Sequence, residues 1–141
     1  MHFEDGFHLV VKRDCPTCTL IEPEIRKLVE SGDFGQNLRI YIQDDPSYLS
    51  DLSQSVSDAS LESSYRLKIE TVPTLIRFEN GEETSRSVGW VREEWSQLLN
   101  DSMFGEHLPE SRPGCGSLTV MPGVKETLDA RFGDLPLNSR T

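Results

Sequence analysis

Cysteine is scarce in this chain. Cys15, Cys18 and Cys115 are the only three in 141 residues, too few and too unevenly spaced for a structural disulfide framework. Positive charge is short too: 14 Lys and Arg against 24 Asp and Glu give a net charge of -10 and a pI near 4.7. Such a surface repels nucleic-acid backbones and anionic membranes, so neither is expected as a partner. No apolar run approaches the roughly 20 residues that span a bilayer. The opening residues MHFEDGFHLVVKRD lack the basic start, apolar stretch and small-residue cleavage site of a leader. A cytoplasmic location, with reduced or redox-active thiols, is therefore expected. Also missing are a Gly-rich phosphate loop, paired carboxylates with a supporting motif and an internal repeat. What is present, 35% hydrophobic and 27% charged residues, suits one globular domain with an appendage.

Along the chain, FHLVVKR (7–13) is rich in β-branched and aromatic residues and reads as a short buried strand that runs into the cysteine pair. From Thr17 to Glu30, Leu20, Ile21, Ile25, Leu28 and Val29 recur at helical spacing. Ser31-Gly32 closes that pattern, and Pro23 inside it should kink the helix. LRIYIQ (38–43) reads as a second strand, which makes strand, helix, strand the start of a parallel crossover. The serine-rich stretch 47–67 keeps Leu49, Leu52, Val56, Leu61 and Tyr65 at roughly helical spacing and is assigned two short helices with a break near Ser57-Asp58. TLIRFE (74–79), Asn80-Gly81 and 82–88 read as a hairpin with a tight turn. Val91, Trp95, Leu98 and Leu99 then share one face of a closing helix. Residues 103–118, with three glycines and two prolines, read as a linker or surface arm, and PGVKETLDARFG as a short amphipathic helix. The final DLPLNSRT closes on no element, so the chain is expected to continue into a further domain.

The chemistry-bearing stretch is RDCPTCTLIEP (13–23). A cysteine pair at a helix entry meets unpaired backbone N–H groups and a partial positive charge, and both stabilise a thiolate. Cys15 is expected at the exposed end as the attacking thiol, with Cys18 one turn inside as the resolving thiol. Taken alone, the pair is also compatible with a metal site or with chance. Tetrahedral metal sites need two further Cys or His ligands. Cys115, His2, His8 and His107 stand at no paired ligand spacing, so the metal reading weakens.

CPTC between a strand and a helix, Pro23 five residues past the second cysteine, Thr71-Val72-Pro73-Thr74, and Gly81 and Gly89 beyond it together resemble the thioredoxin superfamily across about residues 7–102. The resemblance implies an α/β, thioredoxin-like three-layer fold with a central mixed four-stranded sheet. A C-terminal arm and short helix would pack against it. Residues 1–102 would form the domain and 103–141 the arm. It further implies a cis peptide at Pro73, with the Val72 backbone and Pro73 presenting the substrate-binding edge, and thiol-disulfide exchange that needs no cofactor. The partners would be a protein or small-molecule disulfide and a reductase or thiol donor of electrons.

Two positions depart from the pattern. Asp14 stands where thioredoxins usually carry tryptophan, and Leu9 where many carry a buried acid. The Cys-Pro-x-Cys form and short N-terminus look more like glutaredoxins, but the serine-rich stretch exceeds what a small glutaredoxin carries. The chain is therefore placed in the superfamily and in neither branch. Asp14 should oppose a Cys15 thiolate while Lys12 and Arg13 favour it, and Cys15 is expected to have the lower pKa of the pair. Cys115, flanked by glycines in RPGCGS, is either a third redox cysteine or a free surface thiol. Trp95, Tyr41 and Phe78 are expected in the core, with Trp90 open to a contact role. The rival functions are a redox-regulated binding module and a metal-binding protein built on the pair and Cys115.

Overall fold

The computed structural model describes residues 2–31 and 37–133. Gly32 and the final DLPLNSRT, about which the sequence makes statements, lie outside the described residues.

Strand β1 (Gly6–Val11) is buried from Phe7 onward, without the alternation of a one-sided strand. Its place explains this: it pairs in parallel with β2 (Leu38–Ile42) on one side and antiparallel with β5 (Thr74–Glu79) on the other. A central strand covered on both faces reads as a continuous apolar run. The sheet order is β3-β2-β1-β5-β6, with β3 at Ser55–Ser57 and β6 at Glu82–Val88. The polar sequence of β6, EETSRSV, suits an edge strand. The hairpin turn joining β5 to β6 puts Asn80 and Gly81 at φ 54° and 80°, and the Asp5 carboxylate accepts both of their backbone N–H groups at 2.9 Å. Those positive φ values are the ones a two-residue hairpin loop demands.

Helix α1 (Pro16–Glu30) follows β1 and runs through Pro23, burying Ile21 and Ile25 against Leu9, Val10, Ile40, Leu75 and Ile76. Helix α3 (Arg92–Leu99) adds Trp95, Leu98 and Leu99 to the same core. Tyr41 and Phe78 are core residues as expected, and Trp90 is as fully buried as Trp95.

Two expectations are corrected. The sheet has five strands, because Ser55–Ser57 adds in parallel to β2. The serine-rich stretch does not form two helices: turns cover 46–54, β3 comes next, and α2 spans only Glu62–Arg66. Serine and aspartate side chains compete for the backbone there. Asp45 Oδ1 accepts the Ser47 N–H, Ser55 Oγ donates to the Leu49 carbonyl, and Asp58 accepts the N–H groups of Ser63 and Ser64. The helical spacing of Leu49 and Leu52 reports their burial rather than a helix.

The described residues after 102, here called the arm, pack back on the earlier elements. β8 (Ser111–Arg112) pairs with β7 (Trp90–Val91), and β9 (Cys115–Gly116) pairs with β4 (Thr71–Val72). Phe104 is buried with its ring 6.1 Å from those of Trp90 and Trp95. A short 3-10 turn (Leu118–Val120) leads to α4 (Val124–Phe132), which reaches α2 through a hydrogen bond from the Tyr65 hydroxyl to Asp129. Among the described residues, no helix is long and apolar enough to cross a membrane.

Candidate functional site

Cys15 is the N-cap of α1, in an extended conformation, and Pro16 opens the first turn. Proline suits that place because its missing N–H would have no helical partner there. The Cys15 sulfur accepts the Cys18 backbone N–H at 3.2 Å, so the sequence CPTC places a sulfur where an N-cap oxygen usually sits. On its other side the sulfur lies 3.7 Å from the Val72 carbonyl oxygen. The peptide bond Val72–Pro73 is cis, and the Gly89 N–H donates to the Pro73 carbonyl at 2.8 Å. The cysteine pair and the Val-Pro-Thr loop, separate in sequence, thus share one site.

Hydrogen bonding from the Cys18 thiol is the largest influence on Cys15, which is lowered to about 5 from an ordinary 9.0. Burial works against this, while the Cys115 thiol and the Cys18 and Thr17 backbone N–H groups add to the lowering. Burial pushes Cys18 far up, and its hydrogen bond to Cys15 pushes the same way. Cys15 is therefore the lower of the pair, as expected from its position. The backbone N–H contribution is the one expected at a helix entry, while the larger contribution of the Cys18 thiol is not among the expectations and Asp14, Lys12 and Arg13 are not among the leading causes. The Arg13 guanidinium pairs with Asp45 at 2.9 Å, and Asp44 accepts the backbone N–H groups of Arg13 and Asp14.

One placement is corrected. Cys15 does not lie at an exposed end: it is 2% exposed, against 1% for Cys18. The cover is the chain's own arm. β9 lies antiparallel to β4, with Cys115 opposite Val72 and Gly116 opposite Thr71. Thr17 Oγ1 donates to the Pro113 carbonyl and Lys12 Nζ to the Gly116 carbonyl, each at 2.7 Å. Gly114 passes so close to the loop that a Cβ there would lie 2.4 Å from the Val72 oxygen. Cys115 is partly buried, and its thiol is raised by that burial and by its hydrogen bond to Cys15.

The arm is fixed from below by residues the sequence offers no reason to single out. Buried Gln43 donates from Nε2 to Ser64 Oγ at 2.9 Å and Ser117 Oγ at 2.8 Å, and its Oε1 accepts the Leu118 N–H at 2.9 Å. Gln43 ends the LRIYIQ segment, where a polar residue reads as the exit of a strand. Only the fold brings residues 43, 64 and 117 together.

The histidines stand outside this site: His8 is buried with its ring nitrogens on the Tyr41 hydroxyl and the Glu4 carbonyl, and His107 pairs with Glu24. Among the described residues, no group of three or more His, Cys, Asp or Glu is arranged to hold a metal ion. A cavity of about 800 Å³ between Tyr65, Arg86, Lys125 and Phe132 is lined by none of the cysteines.

No family model matches the sequence, and no curated protein matches it. Solved structures do match in shape. StoA from Bacillus subtilis superposes with a TM-score of 0.52 at 16% identity, over 67% of this chain and 84% of that one. A solution structure from Neisseria meningitidis, provisionally assigned as a thioredoxin, gives a TM-score of 0.48 at 19% identity over 74% and 82%. A mixed central sheet flanked by helices, a cysteine pair at the first helix entry and this likeness in shape lead to one conclusion: the chain has the thioredoxin-like fold.

Proposed function

We propose that the chain is a thiol-disulfide oxidoreductase. The observation that carries this reading is the Cys15 sulfur held as the N-cap of α1, at an ionisation near pH 5, with the Cys18 thiol as its neighbour. The Cys15 thiolate attacks one sulfur of a disulfide R–S–S–R′, forming Cys15–S–S–R and releasing R′–S⁻. Cys18, passing its proton to the released R′–S⁻, then attacks the Cys15 sulfur, forming the Cys15–Cys18 disulfide and releasing R–S⁻. Val72 and Pro73 supply the backbone edge beside the reacting sulfur. A reductase or small thiol returns two electrons to the pair, with no prosthetic group, in a reducing compartment such as the cytoplasm. Within this reading residues 1–102 are the catalytic unit and 103–141 its arm.

The near-complete burial of Cys15 favours a second reading, a redox-regulated binding module whose pair switches the seating of the arm. A disulfide-reduction assay separates the two. The oxidoreductase reading expects turnover in the parent chain and its loss in Cys15→Ser. No turnover in the parent, or turnover that survives the substitution, supports the binding module instead.

A further inference from the structure

Cys15 is the better nucleophile of the buried pair, yet at 2% exposure it is poorly reached by a disulfide from solution while the arm is seated. The strand 115–116 lies along the Val72 edge beside Cys15, and its residue opposite Val72 is a cysteine whose thiol hydrogen-bonds to Cys15. Building on the oxidoreductase reading, we propose that Cys115 is a third catalytic cysteine, a relay thiol through which external disulfides exchange with the buried Cys15–Cys18 couple while the arm stays seated on the Val72 edge.

Three observations converge on this. Val72 is shared: its carbonyl lies 3.7 Å from the Cys15 sulfur, and its backbone is the register partner of Cys115. Both cysteines therefore meet at one residue. The segment is seated from several directions, by the Thr17 hydroxyl on Pro113, the Lys12 ammonium on Gly116, and the Ser117 N–H on the Glu70 carbonyl at 3.0 Å. Finally, of the three thiols Cys115 is the partly exposed one, while the other two are buried. A seat of this kind brings Cys115 to Cys15 and leaves it reachable from outside.

The exchange balances at each step. The Cys115 thiol, giving up its proton to solvent, attacks an external disulfide R–S–S–R, giving Cys115–S–S–R and R–S⁻. Cys15–S⁻ attacks the Cys115 sulfur, forming Cys15–S–S–Cys115 and releasing the second R–S⁻. Cys18, passing its proton to a released thiolate, attacks the Cys15 sulfur, forming Cys15–S–S–Cys18 and returning Cys115 as the thiolate. The net result is one external disulfide reduced to two thiols and one dithiol pair oxidised. Burial is the main cause that raises Cys115, and forming the Cys15–Cys115 bond removes the Cys15 hydrogen bond and charge that add to it.

The test uses the full reduced chain and oxidised glutathione, with acid quenching and peptide mass spectrometry to place each disulfide in time. In the parent, a Cys115–glutathione adduct precedes the Cys15–Cys18 disulfide. In Cys18→Ser, where resolution is blocked, a Cys15–Cys115 linkage accumulates. In Cys115→Ser the Cys15–Cys18 disulfide still forms at the end point but at least about tenfold more slowly, because access rather than thiolate content limits it. Oxidation of Cys115→Ser at the parent rate or faster overturns the relay and leaves the oxidoreductase reading standing. So does glutathione that stays on Cys15 in Cys18→Ser with no Cys115 linkage. If the parent never forms a Cys15–Cys18 disulfide, the oxidoreductase reading fails and the relay fails with it.

Discussion

Cys15 is where charge and covalent chemistry meet, and its ionisation is set by local donors rather than by charged neighbours. Thiol and backbone N–H hydrogen bonds stabilise its thiolate more than burial opposes it, which holds it near pH 5. In the reduced chain, thiolate absorbance at 240 nm, taken as the difference from Cys15→Ser, should rise with a midpoint near pH 5. A midpoint near the ordinary value of 9.0 would refute that arrangement of donors. The lowered value also makes folding stability depend on pH. Between the folded value and the unfolded one the unfolded chain holds a proton that the folded chain has lost, so this group's contribution grows as pH rises from 5 and disappears as pH falls through it. Cys18 is raised, so it acts in the opposite sense above its unfolded value. Urea titrations of parent and Cys15→Ser should therefore diverge between pH 5 and about 8 in favour of the parent. Gly114 is the second position where one atom decides the outcome. A Cβ there meets the Val72 oxygen at 2.4 Å and Thr71 Cγ2 at 2.5 Å, and both neighbours belong to the fixed cis-proline loop. Gly114→Ala should push the arm off its seat and raise the alkylation rate of Cys15 by roughly tenfold or more. An unchanged rate would mean that the arm does not guard the sulfur. The neighbouring Gly116 has open space around its Cβ position, so Gly116→Ala is the matched control.

At the scale of elements, what the sequence reveals and what it conceals divide along physical lines. β1, α1, β2 and the β5–β6 hairpin are legible because each carries a local signal: a continuous apolar run, a 3.6-residue period, an alternation, and Asn-Gly between two strands. CPTC and the Val-Pro-Thr loop are legible as a set because their order along the chain is itself distinctive. The serine-rich stretch misleads because its leucines are buried in turns, whose side-chain hydrogen bonds leave no period of their own. The seating of the arm is illegible for a stronger reason. β8 and β9 are two residues each, SR and CG, and nothing in such pieces announces a strand. They are ordered by partners distant in sequence, above all Gln43, whose amide joins β2 to Ser64 and to Ser117 and Leu118 at the base of the arm. Gln43→Ala would leave buried hydroxyls short of a partner and a backbone N–H unpaired. The expected cost is about 1–3 kcal/mol in urea denaturation. Cys15 alkylation should rise in the same variant. A stability loss without faster Cys15 modification would show that Gln43 supports the core but not the cover.

For the molecule as a whole, the arm completes the core as well as covering the cysteines. Trp90 and Trp95 sit edge to face with ring centroids 5.3 Å apart, and Phe104 closes against both. The Trp90 indole N–H donates to the Pro109 carbonyl at 2.8 Å, and the Arg92 guanidinium reaches the Leu108 carbonyl. The aromatic cluster thus belongs partly to residues 1–102 and partly to the arm. Folding of the sheet and closure of the site are consequently coupled, because the same segment that seats Cys115 on Val72 begins from the Phe104 anchor. Removing that anchor gives the most direct measure of the coupling. Phe104→Ala deletes a large buried ring, and such changes cost about 3–5 kcal/mol where the cavity cannot collapse. The urea midpoint followed by tryptophan fluorescence should fall accordingly, and in this variant Cys15 should become reactive at urea concentrations below that midpoint, since without its anchor the arm is released before the sheet opens. If Cys15 reactivity instead tracks the fluorescence transition in both parent and variant, cover and core unfold as one unit. Disulfide exchange would then require the relay through Cys115 at every turnover, because no arm-open state would be populated short of unfolding.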